Sequence, residues 1–371
     1  METRFKIPLC KSEFSRRTLF NIRDALVNNQ LGGRSNKNLE FEKNAERYFG
    51  QPTVSVNSCT SALLAALMVL DFEEGSEIIL PSFSFSATAN AVIWADCIPV
   101  FADILPLSFT IDPESIISKI TTKTKAIIAV HFAGYPCLMN EIMEIANEFN
   151  LKVIEDCAEA MGSRYNGNPV GTIGDAGCFS LFATKNITTG EGGLLTFKNP
   201  DDIKKALLFI DNGVVRENNK RDCVWTSLNF KMSGILAAVA IDQLSSLDNF
   251  NLKRRSIANK YISKLMLEDV LLQPRDQFHT YQMFVIKFKT KEKRDHVLNY
   301  LRLRSIEASI HFDPPIHLQT AYIEDYETKS LPVTEDVSNT ILTLPLYPSM
   351  TSDESDFVIE QTIKAIHDKD S

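Results

Sequence analysis

Two periods of apolar and polar residues alternate along this chain, and the exchange between them sets its organisation. Leu19, Phe20, Ile22, Ala25 and Leu26 fall on one helical face and predict a helix over 15–29, stopping at Asn28-Asn29. A second helix is predicted over 37–49, carrying Leu39, Phe41, Ala45 and Phe49 and ending at Gly50. Short apolar runs at 53–56, 77–80, 98–103, 125–131 and 151–156 then read as strands. Between them, 62–70, 87–94 and the face made by Leu138, Met139, Ile142, Met143, Ala146 and Phe149 read as helices. Repeated strand–helix–strand units imply right-handed crossovers and a mainly parallel sheet covered on both faces. Ligands of such sheets lie beyond the carboxyl ends of the strands, where Ser58, Phe85, His131 and Asp156 fall.

Further on, the apolar run from Phe179 leads into Lys185 and a turn dense in threonine and glycine up to Gly193. A strand over 193–197, a helix over 201–209 and a polar loop over 212–222 follow. A helix over 233–247 shows a small face at Ala237, Ala238 and Ala240, and another from Arg254 to about 265 bridges to a second unit. There the pattern shifts to strands at 281–288, 305–309 and 341–344, with helices at 294–303 and 352–366. This predicts a large domain over 1–248 and a small α+β domain over 249–371.

The chain has 371 residues, 44% of them hydrophobic and 23% charged, which is ordinary for a globular protein. A net charge of -8 argues against a general grip on nucleic acid, so Lys253-Arg254-Arg255 reads as a solvated helix face. The seven cysteines are odd in number and contain no Cys-x-x-Cys pair. They read as reduced thiols, with neither a disulfide frame nor a metal site. No run of eighteen uncharged apolar residues occurs, and the first residues lack an apolar signal core. The expectation is a soluble cytoplasmic protein with no membrane partner.

Strand, Ser/Thr turn and helix start at Asn57-Ser58-Cys59-Thr60-Ser61 gather free backbone N–H groups and hydroxyls where a phosphate binds, although plain N-capping uses the same letters. Asp156 closes an apolar strand either as a helix cap or as the partner of a buried cation. Lys185 alone reads as a surface lysine. Taken together, a phosphate nest, the ring of Phe85, the carboxylate of Asp156 and the amine of Lys185 match the needs of pyridoxal phosphate. That cofactor requires an anion cradle, a flat apolar partner, an acid for its ring nitrogen and a lysine for its aldehyde.

Five ordered motifs carry a resemblance: Asn57-Ser-Cys-Thr-Ser-Ala-Leu, Leu80-Pro-Ser-Phe-Ser-Phe-Ser-Ala-Thr-Ala-Asn-Ala, Val153-Ile-Glu-Asp-Cys-Ala-Glu-Ala-Met-Gly, Gly174-Asp-Ala-Gly-Cys-Phe-Ser and Thr184-Lys-Asn-Ile-Thr-Thr-Gly-Glu-Gly-Gly. With them the chain resembles, over nearly its whole length, the DegT/StrS-type nucleotide-sugar aminotransferases of fold type I. The resemblance implies an α/β fold with a mainly parallel seven-stranded-type sheet and a smaller α+β C-terminal domain. By matching positions, Lys185 would be the Schiff-base lysine, Asp156 the partner of the pyridine nitrogen and Phe85 the stacking ring. Cys59, Thr60, Ser61 and Ser180 would surround the phosphate, and Glu159 would lie near the ring hydroxyl. Asn229 would reach the phosphate of a neighbouring subunit, implying a homodimer with a shared site. Gly33, His311, Phe312 and His317 would face the substrate. Departures from the family pattern are Cys59 for glycine, Lys231 for arginine, Gly234 for an acidic residue and Phe312 for tyrosine.

The implied activity moves an amine from L-glutamate to a ketone of a sugar, with a nucleotide-linked 3- or 4-keto-deoxysugar used in surface polysaccharide or glycoconjugate synthesis as the expected acceptor. Two alternatives share the fold. A pyridoxal-phosphate sugar dehydratase would carry histidine in place of Lys185, and a catalytically silent regulator would not need the lysine, aspartate and serine set.

Overall fold

The computed structural model describes residues 5–217, 220–326 and 329–368. Its centre is a seven-stranded sheet in the order Thr53–Val56, Gly193–Phe197, Ala176–Ser180, Lys152–Asp156, Thr124–Val130, Glu77–Pro81 and Ile98–Ala102. Gly193–Phe197 runs antiparallel to both of its neighbours, and the other pairings are parallel. The central strands are buried on both faces, which is why they appear in the sequence as nearly continuous apolar runs. Period-two alternation divides their side chains between two cores. Ala126, Ile128 and Ile154 pack with Ala62, Leu63 and Leu67 of the helix Cys59–Leu70, whereas Ile127, Ala129 and Val153 pack with Met139, Ile142 and Ala146 of the helix Met139–Glu148.

One element departs from expectation in a way that matters. The two helices predicted on either side of 248–253 are a single helix, Gly234–Leu265, of 32 residues. The intervening stretch contains no glycine or proline and so has no reason to break. Its first half contributes Ala237, Ala240, Ile241 and Leu244 to one core, and its second half contributes Ala258, Tyr261, Ile262 and Leu265 to another. Arg254 does not sit on a solvated face. It is buried, and its Nη1 donates to the carbonyls of Tyr281, Gln282 and Leu346 at 3.4, 3.2 and 3.0 Å. Loss of hydration lowers the pKa of this guanidinium to about 10.

The second core lies under a three-stranded antiparallel sheet, Val270–Leu272, Phe284–Phe288 and Ile341–Leu344, covered by the helices Lys291–Leu303 and Ser352–His367. The strand expected at 305–309 forms only isolated bridges, Ile306 to Ile7 and Ser309 to Thr343. Within the predicted polar loop, Val214–Glu217 pairs with Lys220–Cys223 as a hairpin, residues 218 and 219 lying outside the described region. The described cysteines are unpaired, and no described helix is long and apolar enough to cross a membrane.

A buried acid ties the strand ends to the following loop. Glu155 accepts from the backbone N–H groups of Gly171, Ile173 and Gly174 at 2.7, 2.7 and 2.8 Å, and from His131 Nε2 at 3.0 Å. The Cys137 N–H donates to His131 Nδ1 at 3.0 Å, so the ring proton resides on Nε2. Ligand atoms of His131, Glu155 and Cys157 lie within 4.8 Å of one another, a spacing a metal could use. The carboxylate and imidazole are nevertheless fully engaged by these donors, and the trio reads as a hydrogen-bonded knot. Replacing Glu155 by alanine strands four donors, and the unfolding free energy in urea is expected to fall by about 3–5 kcal/mol.

Candidate active site

A cleft of about 500 Å³ opens at the carboxyl ends of the parallel strands, bounded by both cores. Lys185 enters it from the loop that follows the strand Ala176–Ser180. That loop is pinned at every step: Lys185 N–H donates to Phe182 O at 3.0 Å, and the Thr188 hydroxyl to Leu181 O at 2.9 Å. Gln243 and Asn251 of the long helix hold Thr188 N and Asn186 Nδ2 at 3.0 and 2.7 Å, and Gln282 Nε2 donates to Thr184 O at 3.0 Å. The lysine therefore has a fixed root, and its amine stands 3.5 Å from Glu159 Oε1. The second Glu159 oxygen accepts from Ala133 N at 2.8 Å.

Asp156 lines the same cleft, only 4% exposed. Its oxygens accept from the Thr88 hydroxyl at 2.9 Å and from Ala158 N at 3.1 Å, while Ser84 Oγ lies 2.8 Å from Thr88 Oγ1. Among the described residues it has no salt-bridge partner, and burial raises its pKa above the usual carboxylate range. A buried acid without a cation is suited to receive one. Phe85 lines the same cleft with 66% of its surface exposed, a large apolar ring left free to stack.

The start of the helix Cys59–Leu70 forms a part of the cleft wall suited to a phosphate. Ser58 caps it, accepting from Ser61 N at 3.1 Å, and Ser61 Oγ lies 3.0 Å from Ser58 Oγ. Ser58, Cys59, Thr60 and Ser180 line the cleft, whereas Ser61 is buried behind them as a brace. A Cβ on Gly193 would stand 2.7 Å from the Ser58 carbonyl carbon and 2.8 Å from Phe179 O, so only glycine lets this strand pass so close beneath the cap. Burial holds the Cys59 thiol well above its ordinary pKa, leaving it neutral beside this anion cradle. Acid, ring, amine and helix start together fit pyridoxal phosphate.

Of the other residues singled out, Glu159, His311 and Phe312 line the cleft. His311 Nδ1 lies 2.7 Å from the Thr343 hydroxyl, and burial lowers its pKa, so the ring is neutral at pH 7. His317 lies away from the cleft wall, its Nδ1 2.6 Å from Ser82 Oγ and its Nε2 3.4 Å from Glu335. Gly33 packs against the Lys231 side chain, and Asn229 is exposed near the hairpin; neither lines this chain's cleft. Thr88, Gln282, Thr343 and the N-terminal pair Leu9 and Cys10 were not singled out in the sequence but line the cleft wall. Thr88 falls inside the motif that begins at Leu80, and the others carry no local signal.

Residues 14–362 match the DegT/DnrJ/EryC1/StrS aminotransferase family. The chain is 34% identical over 366 residues to GDP-perosamine synthase of Escherichia coli O157:H7, covering 98% of this chain and 99% of that one. Among solved structures, the aminotransferase TlmJ from Streptoalloteichus hindustanus superposes with a TM-score of 0.92 at 26% identity, covering 97% of this chain and 98% of that one. NtdA from Bacillus subtilis, with bound cofactor PMP, superposes at 0.89 with 29% identity, covering 95% and 82%. With the cofactor set in one cleft and these likenesses running nearly end to end, the chain is a pyridoxal-phosphate-dependent sugar aminotransferase and belongs to the DegT/DnrJ/EryC1/StrS aminotransferase family.

Proposed function

We propose that the enzyme moves an amine from L-glutamate to the ketone of a nucleotide-linked 3- or 4-keto-deoxysugar, for surface polysaccharide or glycoconjugate synthesis. The observation that carries this reading is that Lys185 and Asp156 line one cleft in a chain 34% identical to a GDP-perosamine synthase. That likeness makes a guanosine-diphosphate keto-sugar the first acceptor to test.

When bound, pyridoxal phosphate supplies the electron sink and the carbon that carries the amine between substrates. The chain's own residues do the rest. The helix start at Ser58–Thr60 and the Ser180 hydroxyl hold the phosphate. Asp156, oriented by Thr88 and Ala158, keeps a proton on the ring nitrogen, and the Phe85 face excludes water from one side. Lys185 anchors the cofactor and, once free, takes the proton from the substrate carbon and returns it as general acid. Glu159, whose Oε1 lies 3.5 Å from the amine, gives Lys185 an ion-pair partner when it is free.

Asn229, exposed and outside its own chain's cleft, is assigned to the cleft of a second copy, so the working unit is a homodimer in the cytoplasm. Purified protein is expected to be yellow, and Lys185→Ala to lose both the colour and all turnover; glutamate exchange by that variant at the native rate would sink the assignment. Asp156→Asn should keep the lysine-bound colour but slow turnover about a hundredfold or more, as loss of one preorganised electrostatic contact does elsewhere. Mixing the Lys185→Ala and Asn229→Ala proteins under subunit exchange should restore activity, because one site of each mixed dimer is intact. No recovery from fully exchanged subunits would refute the shared site.

A further inference from the structure

Gln282 stands at the junction of the small sheet and the lysine loop. It lines the cleft yet is 7% exposed. Its side-chain NH2 donates to the carbonyl of Thr184, the residue before Lys185, at 3.0 Å; its backbone N–H donates to Ala133 O at 3.0 Å. The Thr184 carbonyl fixes the orientation of the amide, because the flipped form would set two oxygens against each other. The remaining atom, Oε1, has no hydrogen-bond partner. Among the described residues that line the cleft, it is the one buried side-chain oxygen or nitrogen left in that state.

The cleft wall also includes the apolar Leu9, Met283, Leu344 and Leu346, and its polar pair His311 and Thr343 satisfy one another. A buried unpaired acceptor is destabilising until a donor reaches it. An ammonium would settle on the neighbouring carboxylate of Glu159, which already faces Lys185. A neutral amide oxygen is instead matched to a neutral hydroxyl. Glutamate has no hydroxyl, whereas a keto-sugar carries several.

Building on the sugar-aminotransferase reading above, we propose that Gln282 Oε1 accepts a hydrogen bond from the acceptor sugar, from the hydroxyl on a carbon next to the ketone. The amide is tied to the residue before Lys185, and Lys185 serves the reacting carbon, so the hydroxyl within reach is a neighbouring one. Gln282 then acts in the sugar half-reaction and selects hydroxy-ketones over their deoxy counterparts.

The test compares holoenzyme and Gln282→Met, a near-isosteric change, in separate half-reactions followed by the cofactor's absorbance. L-glutamate is the donor, and guanosine-, thymidine- and uridine-linked keto-sugars are paired with analogues lacking the hydroxyl beside the ketone. The native enzyme should prefer the hydroxylated sugar by about ten- to hundredfold in kcat/KM. Gln282→Met should lose that preference and slow the sugar half-reaction well beyond the glutamate one. Equal slowing of both half-reactions, or a variant that keeps the preference, overturns the proposal and leaves Gln282 a brace for Thr184. Should the variant not hold cofactor, the native enzyme alone decides: indifference to the hydroxyl overturns it. A native enzyme that takes amine from glutamate and gives it to no keto-sugar overturns the broader reading as well, which separates the two failures.

Discussion

The arrangement depends on one unpaired charge. Asp156 closes a buried strand with a hydroxyl and an amide for company and no cation within salt-bridge reach among the described residues. Burial disfavours its ionised form, so its pKa is raised. The sign of the linkage follows: in the free protein this group favours the fold most at low pH, and that contribution is lost as pH rises through the raised value. A protonated ring nitrogen docked against it reverses the sign, because the carboxylate then has its counter-charge. Holding an acid in this state is worthwhile only if something else is held in register with it. The clamps on the lysine loop accomplish that.

Those clamps come from distant parts of the chain. Gln243 and Asn251 lie on one face of the long helix, Gln282 comes from the approach to the small sheet, and Ser12 reaches Ala183 O at 2.9 Å from the N-terminal segment. Three separate elements thus fix a loop that its own short backbone bonds would leave loose, which is how a reactive amine is kept within a narrow range of positions. The unbroken helix makes this possible by carrying the two cores on one rigid rod, with the buried Arg254 stitching it to Tyr281, Gln282 and Leu346.

The strands of the large sheet were legible because burial on both faces leaves continuous apolar runs, and the candidate cofactor residues Asp156 and Ser180 stand out because they close two of them. What escaped reading has physical causes. The hairpin Val214–Glu217 with Lys220–Cys223 is exposed and polar, so it carries no apolar alternation. Arg254 reads as a surface charge because nothing local signals three carbonyls arriving from 27 to 92 residues away. His317 belongs to a motif-like stretch, but its ring is committed to Ser82 and Glu335. Gly234, a departure from the family's acidic residue, is explained by space: a Cβ there would stand 1.9 Å from Gln30 O. Phe312 places its ring edge-on to Phe83 at 5.3 Å between centroids, so the hydroxyl a tyrosine would bring is replaced by packing.

Charge arithmetic adds an argument for the shared site that does not rest on Asn229. Of the residues lining the cleft, Lys185 is the sole lysine or arginine, while Asp156, Glu159 and Glu191 are acids, and His311 is neutral at pH 7. Yet the cofactor's phosphate, the carboxylates of glutamate and the diphosphate of a nucleotide sugar are all anions. A helix start and a few hydroxyls offset part of one such charge, not all of them. The missing cations must come from outside this cleft. The hairpin outside its own chain's cleft wall carries Arg216, Lys220 and Arg221 together with Glu217 and Asp222, so its described residues bring a net charge of +1. A second copy presenting that hairpin to the cleft, as in the shared site proposed above, would add its small positive charge to a wall whose one lysine or arginine among the described residues is Lys185.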